Sequence, residues 1–449
     1  MDLLLTHGYF LAEDPKEQRI MKPYPPLGIL YLSSHLRRAG FDVEIYDSTF
    51  GSREGLRQRL DSETPSVLGV YANLLTRGEA VRIVQQAKQR GWFVVVGGPE
   101  PSNYAAEYLD AGADAVIRGE GEVALEALLT RLAAGGSLSS DLPSLLYRAP
   151  DGSIVTTPAA PLISDLDAQP WPDRDRIDID RYVRTWREHH GLGSLSVITA
   201  RGCPYHCRWC SHSVYGKTHR RRSPVAVVDE VEHILERYRP EMLWIADDVF
   251  TIHHGWLFRY AAEMARRNLR VPFECITRAD RLDRRVAGTL AELGCRRVWI
   301  GSESGSQRIL DAMQRGVTIE QVERAVEDCR AVGIETGMFI MWGYEGEQRE
   351  DVEATIAHVK KCSPDVCLTT VSYPIGGTPY YEEVRPRLVN IGGWRDSTDR
   401  DIAVRGRHSR RFYRFADDLL KAQLVTEPDP ALIAAAHAGM LAAEEEVEA

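Results

Sequence analysis

The chain has 449 residues, 44% hydrophobic and 27% charged, enough apolar material for two or three globular units and too much for a disordered or fibrous protein. Its net charge of −10 excludes a surface built to neutralise nucleic-acid phosphates. No stretch reaches the ~20 apolar residues of a membrane helix, and the opening MDLLLTHGYF has neither a basic start nor a long apolar run, so a cytoplasmic protein is expected.

Residues 1–135 alternate apolar runs (2–6, 42–46, 66–71, 93–96, 113–117) with helical patterns (27–39, 78–90, 123–133). That alternation predicts an α/β unit with a doubly wound, Rossmann- or flavodoxin-like parallel sheet, which binds ligands at the carboxyl ends of its strands. Gly97 and Gly98 follow the fourth run, and Gly119 and Glu120 follow the fifth. Glycine there either lets a backbone approach a ligand or simply makes a turn. Residues 136–190 read as a linker with a small hairpin at 145–148 and 153–157.

A second alternation covers 191–385, with strands expected at 195–199, 242–246, 272–277, 297–301, 335–340 and 366–372 and helices between them. Six βα units predict a partial, open (βα)6 barrel with its chemistry at the carboxyl edge. Residues 386–449 read as a helical segment, in which Arg and aromatic residues alternate over 399–415 either to cap the barrel or to pack as a helix.

The chemistry concentrates in Arg201-Gly-Cys-Pro-Tyr-His-Cys-Arg-Trp-Cys210, directly after the first barrel strand. Three of the eight cysteines, Cys203, Cys207 and Cys210, stand at C-x3-C-x2-C spacing, and the other five are scattered through apolar stretches. Three thiolates on one loop can hold three irons of a cubane and leave the fourth open. They can equally form a Cys3His zinc site with His206 or His212, in a non-catalytic binding protein. The nearby run Arg220–Arg221–Arg222 reads as a solvated face, with a local phosphate or carboxylate contact as the alternative.

The loop resembles the CxxxCxΦC signature of the radical S-adenosylmethionine (SAM) superfamily, with Trp209 at the aromatic position. Trp244-Ile-Ala-Asp-Asp248, Gly301-Ser-Glu-Ser-Gly305 and Gly337-Met-Phe-Ile-Met-Trp-Gly343 also resemble motifs of that superfamily, in order and each on a predicted barrel strand. The resemblance covers about 190–385. It implies a [4Fe–4S] cluster on the three cysteines and reductive cleavage of SAM to a 5′-deoxyadenosyl radical that takes hydrogen from an unactivated carbon. It also implies that Trp209, Ser302, Glu303, Gly337 and Gly343 contact SAM. Arg278 is expected on a carboxylate or in an ion pair with Asp280 or Asp283, and Asp247 or Asp248 on an amine or hydroxyl of substrate or on SAM. Tyr215 is a candidate radical or proton partner, and Tyr373 and Thr378 are candidates for the pocket wall.

The N-terminal unit is similar to the cobalamin-binding-like domain that precedes this barrel in one branch, on Gly97–Gly98 and Gly119–Glu120. The cobalt-ligating D-x-H-x-x-G is absent, and His7–Gly8 is not that motif. The resemblance therefore leaves both a bound cobalamin and a fold without it. Expected partners are a small-molecule substrate and a reductant such as flavodoxin or ferredoxin. Three reactions are expected in this order: radical dehydration of a hydroxyl-rich, aminosugar-like intermediate of antibiotic biosynthesis; cobalamin-dependent C-methylation; and anaerobic ring formation on a lipid or tetrapyrrole.

Overall fold

Strand β1 (Leu3–His7) buries every side chain. Leu3 and Leu5 enter one core and Leu4 another, as a period of two requires when both faces of a sheet are covered. Val67 and Leu68 in β3 (Val67–Tyr71), and Val95 and Val96 in β4 (Phe93–Gly97), divide between the same two cores. Helices Leu27–Arg38 and Gly121–Ala133 cover one face, and helices Arg53–Ser62, Arg77–Gln89 and Ala105–Asp110 the other. With β2 (Val43–Tyr46) and β5 (Ala115–Ile117), the parallel order is β2-β1-β3-β4-β5. The order reverses between β1 and β3, and such a reversal opens a crevice at the carboxyl edge. In this computed structural model the described residues are 1–389 and 392–448, so residues 390, 391 and 449 of the C-terminal segment lie outside them.

The hairpin expected in the linker instead extends the first sheet. Strands β6 (Leu145–Arg148) and β7 (Ile154–Thr156) add antiparallel to β5. A helix at Ile179–His190 also departs from the linker reading. Asp178 caps it by accepting the Arg181 amide at 3.0 Å, and Ile179, Tyr182, Val183 and Trp186 form its buried stripe. Pro and Asp in the preceding stretch mask that periodicity in sequence.

Strands β8 (Ser194–Val197), β9 (Met242–Ile245), β10 (Phe273–Thr277), β11 (Cys295–Glu303), β12 (Glu335–Trp342) and β13 (Val366–Val371) form the second sheet. All are parallel and lie in chain order, and among the described residues no bonds join β8 to β13. The partial barrel is thus open. Val298, Ile300, Met338, Ile340 and Trp342 face the surrounding helices, while Trp299 stacks on Phe339 with ring centroids 5.2 Å apart. All eight cysteines are free, and Cys275, Cys295, Cys329 and Cys362 are buried. No described helix is long and apolar enough to cross a membrane.

The C-terminal segment packs as helices and also ties back to the first sheet. Helices Arg410–Leu424 and Pro430–Ala442 pack Phe412, Tyr413, Leu419, Leu420 and Met440 into the barrel core. Ahead of them, Asp399 reaches back to the first sheet. It accepts Arg77 Nη2 at 2.5 Å and Tyr104 Oη at 2.9 Å, while Arg77 Nε meets Glu100 at 2.6 Å. Arg77, Glu100 and Asp399 are all buried. At the end of β12, Gly343 has φ +71°, and a Cβ there would lie 3.0 Å from Tyr413. Its N–H donates to Glu347 at 2.5 Å, and Arg407 donates to the carbonyls of Ser372 at 2.6 Å and Gly343 at 3.4 Å. Burial pushes the Glu347 carboxyl up to about 8.

Asp399→Ala strands the Arg77 guanidinium with one carboxylate, and about 3–5 kcal/mol of stability should be lost. Urea unfolding checks this, and an unmoved midpoint would refute the clasp. Glu347 binds its proton more tightly folded than unfolded. Its contribution is therefore full below the ordinary glutamate pKa and is lost as pH rises toward 8. Thermal melts should show the native chain losing more stability between pH 5 and 8 than Glu347→Gln does, by at most about 1.4 kcal/mol per pH unit.

Candidate active site

Two short strands close the base of the cysteine loop. Ala200–Arg201 pairs antiparallel with Arg220–Arg221. Gly202 turns the chain with φ +86°, where a Cβ would lie 2.5 Å from the Thr218 carbonyl oxygen. The loop then presents Cys203 half-buried, Cys207 buried and Cys210 exposed. Although Cys210 keeps an exposed edge, the protein packed around it raises its thiol to about 12, and the charges of Cys207, Asp248 and Cys203 add to that. Burial likewise raises Cys203, with Asp248 and Cys207 adding. The three sulfurs thus stand near enough to repel one another as thiolates, the arrangement a shared metal centre relieves.

Two buried arginines face Cys207. Arg278 Nη1 lies 3.8 Å and Arg315 Nη1 3.7 Å from its Sγ. Arg278 also pairs with Asp280 at 2.8 Å, donates to the Arg315 carbonyl at 2.7 Å, and lies 3.6 Å over the Tyr205 ring. Arg315 donates twice to the Gly301 carbonyl, at 2.9 and 3.3 Å. His206 is exposed, and His212 turns Nδ1 to the Cys210 carbonyl at 3.1 Å. Among the described residues no histidine is hydrogen-bonded to any of the three thiols, so the donor set on the loop is three sulfurs rather than a Cys3His zinc site. Three thiols with an open fourth corner fit a cubane.

The other predicted residues divide by where they point. Glu303 leaves β11 with φ +64° and lies 4.0 Å from Arg315. Burial raises its carboxyl, and the charges of Arg315 and Arg278 partly offset that. Asp248 faces the cavity with no hydrogen-bond partner among the described residues, and burial followed by repulsion from Asp247 raises its carboxyl. Asp247 is committed elsewhere. It accepts the Thr199 and Ala200 amides at 2.6 and 3.1 Å and pairs with Arg221 at 2.9 Å. Ser302 turns behind the strand to His358, at 3.3 Å. Gly337 sits under Trp299, where a Cβ would come within 2.3 Å of the indole. Trp209 packs against Tyr344, ring centroids 6.3 Å apart. Thr378 caps helix Pro379–Val384, and Tyr373 lies under Arg400 at 5.6 Å.

A cavity of about 610 Å³ lies where the carboxyl edges of the two sheets face each other. Gly97, Gly98 and Gly119 line it from the first sheet, and Trp244, Asp248 and Tyr215 from the barrel side. Burial raises the Tyr215 phenol to about 12. At Gly98 (φ +120°) a Cβ would lie 2.3 Å from the Ala72 carbonyl oxygen, whereas at Gly97 it would meet only Ile117, at 3.8 Å. Gly97 therefore leaves room for a bulky ligand to rest against the backbone. His7 lines the cavity with both nitrogens engaged, Nδ1 by the Tyr9 amide at 3.2 Å and Nε2 by Asp47 at 3.1 Å. The glycine edge gives the cavity an open stretch of backbone on which a corrinoid would rest.

Glu120 spans the domains rather than facing open space. It accepts Arg201 Nη1 at 2.7 Å and Arg220 Nη1 at 2.8 Å, while Arg201 Nη2 reaches Glu122 at 2.7 Å. The basic run is consequently no solvated face. Arg220, Arg221 and Arg222 pair with Glu120, Asp247 and Glu230 respectively. Sequence reasoning missed Arg201, Glu122 and Arg315. Position beside the motif could have flagged Arg201, but a lone arginine between two helices gives no signal for Arg315.

Comparison with known proteins agrees with this geometry. Residues 197–359 match the Radical SAM superfamily, and residues 19–129 match the B12 binding domain. The cofactors that accompany these two domains are a [4Fe–4S] cluster, SAM and cobalamin. An uncharacterized methyltransferase of Pyrococcus horikoshii is 31% identical over 86% of this chain and 84% of its own. The anaerobic magnesium-protoporphyrin IX monomethyl ester cyclase of Rubrivivax gelatinosus is 28% identical over 81% of this chain and 67% of its own. The fold is that of the radical SAM methyltransferase TsrM from Kitasatospora setae, at TM-score 0.72 and 22% identity over 87% of this chain and 77% of that one. The chain belongs to the radical SAM superfamily, in the branch whose barrel follows a B12-binding domain.

Proposed function

We propose that the protein is a cobalamin-dependent radical SAM methyltransferase acting on a carbon of a small molecule. The observation that carries this reading is the single cavity onto which both the glycine edge of the first sheet and the cysteine-loop side of the barrel open. Methyl transfer requires a corrinoid and a cluster-bound SAM to address one substrate in one enclosed space. The relative at 31% identity is named a methyltransferase. Radical dehydration, placed first from sequence, finds no support among the relatives, and methyl transfer takes its place.

When bound, the reduced cluster and SAM supply one-electron cleavage chemistry, and the corrinoid supplies a methyl carrier. Cys203, Cys207 and Cys210 would hold the cluster through their thiolates. Asp248, the carboxylate whose charge bears on Cys203 and Cys210, receives an ammonium group, most simply that of SAM. Glu303 meets the nucleoside end and Trp209 backs the loop, while Gly343, expected on SAM from sequence, is taken up by Glu347, Arg407 and Tyr413 instead. Gly97, Gly98 and Gly119 let the corrinoid approach the backbone. Tyr215, at the cavity wall, holds or gives a proton at its phenolic oxygen. The electron comes from a small donor of the flavodoxin or ferredoxin class, in a reducing cytoplasm.

Ring formation of the kind named for the Rubrivivax relative is the second reading. Bound corrinoid with methylated product separates the two. Anaerobically purified protein should be brown, with about four irons per chain and a corrinoid absorption band in equal amount. A colourless protein would overturn the assignment. Cys207→Ala should abolish reductive SAM cleavage, measured as 5′-deoxyadenosine, and 5′-deoxyadenosine formation surviving that change would refute the cluster ligand. Gly97→Leu should weaken corrinoid retention by about tenfold, roughly 1.4 kcal/mol, with iron content unchanged.

A further inference from the structure

We propose that Arg278 and Arg315 tune the cluster's reduction potential by presenting two guanidinium groups to one ligand sulfur, that of Cys207. The inference rests on the cluster reading above. Both side chains are buried, at 2% and 7% exposure, and both place Nη1 within 3.8 Å of the same Sγ.

Neither is free to swing away. Arg278 is fixed by Asp280, by the Arg315 carbonyl and by the Tyr205 ring beneath it. Arg315 is fixed by its two bonds to the Gly301 carbonyl. In each case the other donors are engaged on protein oxygens and one remaining nitrogen faces sulfur. Arginine does not lose its proton in a protein, so both charges persist at every working pH. Packing alone would not require two buried cations against one thiol, since an apolar pair would fill that volume at lower desolvation cost.

The electrostatics of the loop are lopsided. Cys207 takes an N–H contact from each cation, whereas Cys203 and Cys210 feel Arg278 and Arg315 respectively through charge alone, together with the opposing carboxylate of Asp248. Reduction adds one electron to the cluster, taken from a one-electron donor of the flavodoxin or ferredoxin class, and so adds one negative charge. Neighbouring cations and N–H donors to cluster sulfur favour that reduced form and raise the potential.

The test is a potentiometric titration of the reconstituted full chain under anaerobic conditions, followed by electron paramagnetic resonance of the reduced cluster. Arg315→Gln and Arg278→Gln should each move the midpoint to a more negative value. At a fixed solution potential near the native midpoint, the ratio of reduced to oxidised cluster should fall at least threefold. Arg315→Lys, which keeps the charge, should shift less, and the double glutamine variant more. Unmoved or more positive midpoints in iron-replete single variants would overturn the proposal. Should those variants not hold iron, the native chain still decides. Uniform 15N-arginine labelling should change the nitrogen modulation in pulsed resonance spectra of its reduced cluster, and the absence of any arginine nitrogen coupling would sink the idea. A native chain that binds no iron would defeat the cluster reading and this inference together, whereas shiftless but iron-replete variants defeat this inference alone.

Discussion

Two sheets meet at their carboxyl edges, and the buried ions between them fix how they meet. Arg201 stands two residues before Cys203, and its fork lands on Glu120 and Glu122, which begin the last helix of the first unit. Arg220 joins Glu120 from the far side of the loop base. Ion pairs this deeply buried gain little net stability, because desolvation consumes most of the Coulomb energy. What they provide is registry. A guanidinium with no water must find its carboxylates, and only one docking of the two sheets satisfies all four groups. The cysteine loop hangs from that anchor, so its position relative to the glycine edge is set by charge rather than by the loop's own conformation.

The same logic runs through the rest of the barrel rim. Asp247 closes the end of β8 by taking two amides and Arg221, while its neighbour Asp248 is left to the cavity. Adjacent carboxylates on a strand end point to opposite sides, so one becomes scaffold and the other is available to a ligand. Ser302 and Glu303 divide in the same way, Ser302 toward His358 behind the strand and Glu303 toward Arg315. Alternation along a strand therefore sorts each motif into a half that holds the barrel and a half that faces the chemistry.

Much of this was legible in the residues. The strand–helix rhythm gave both sheets, because continuous apolar runs such as Phe93–Gly97 have few other homes. The three cysteines declared a metal centre by spacing alone. The helix Ile179–His190 was hidden, since a Pro- and Asp-rich approach masked a stripe that only a cap at Asp178 begins. Charge partners were hidden more thoroughly. Arg220–Arg222 looks like a solvated patch until Glu120, Asp247 and Glu230 meet it from 100, 26 and 8 positions away. Arg315 and Cys207 lie 108 positions apart, and no local pattern links them. Pairing across such separations is a property of the fold and is not written in any window of sequence.

The contact between Arg77 and Asp399 spans 322 positions. During synthesis it cannot form until the chain through Asp399 has left the ribosome, after the strands of both sheets have emerged. The barrel strands follow one another in space as they do along the chain, so each can add to its predecessor as it emerges. Until Asp399 arrives, Arg77 has only Glu100 as a carboxylate partner. The segment around Asp399 thus works as a clasp fastened after both sheets, and a product stalled before it would retain both layers while lacking this tie to the first.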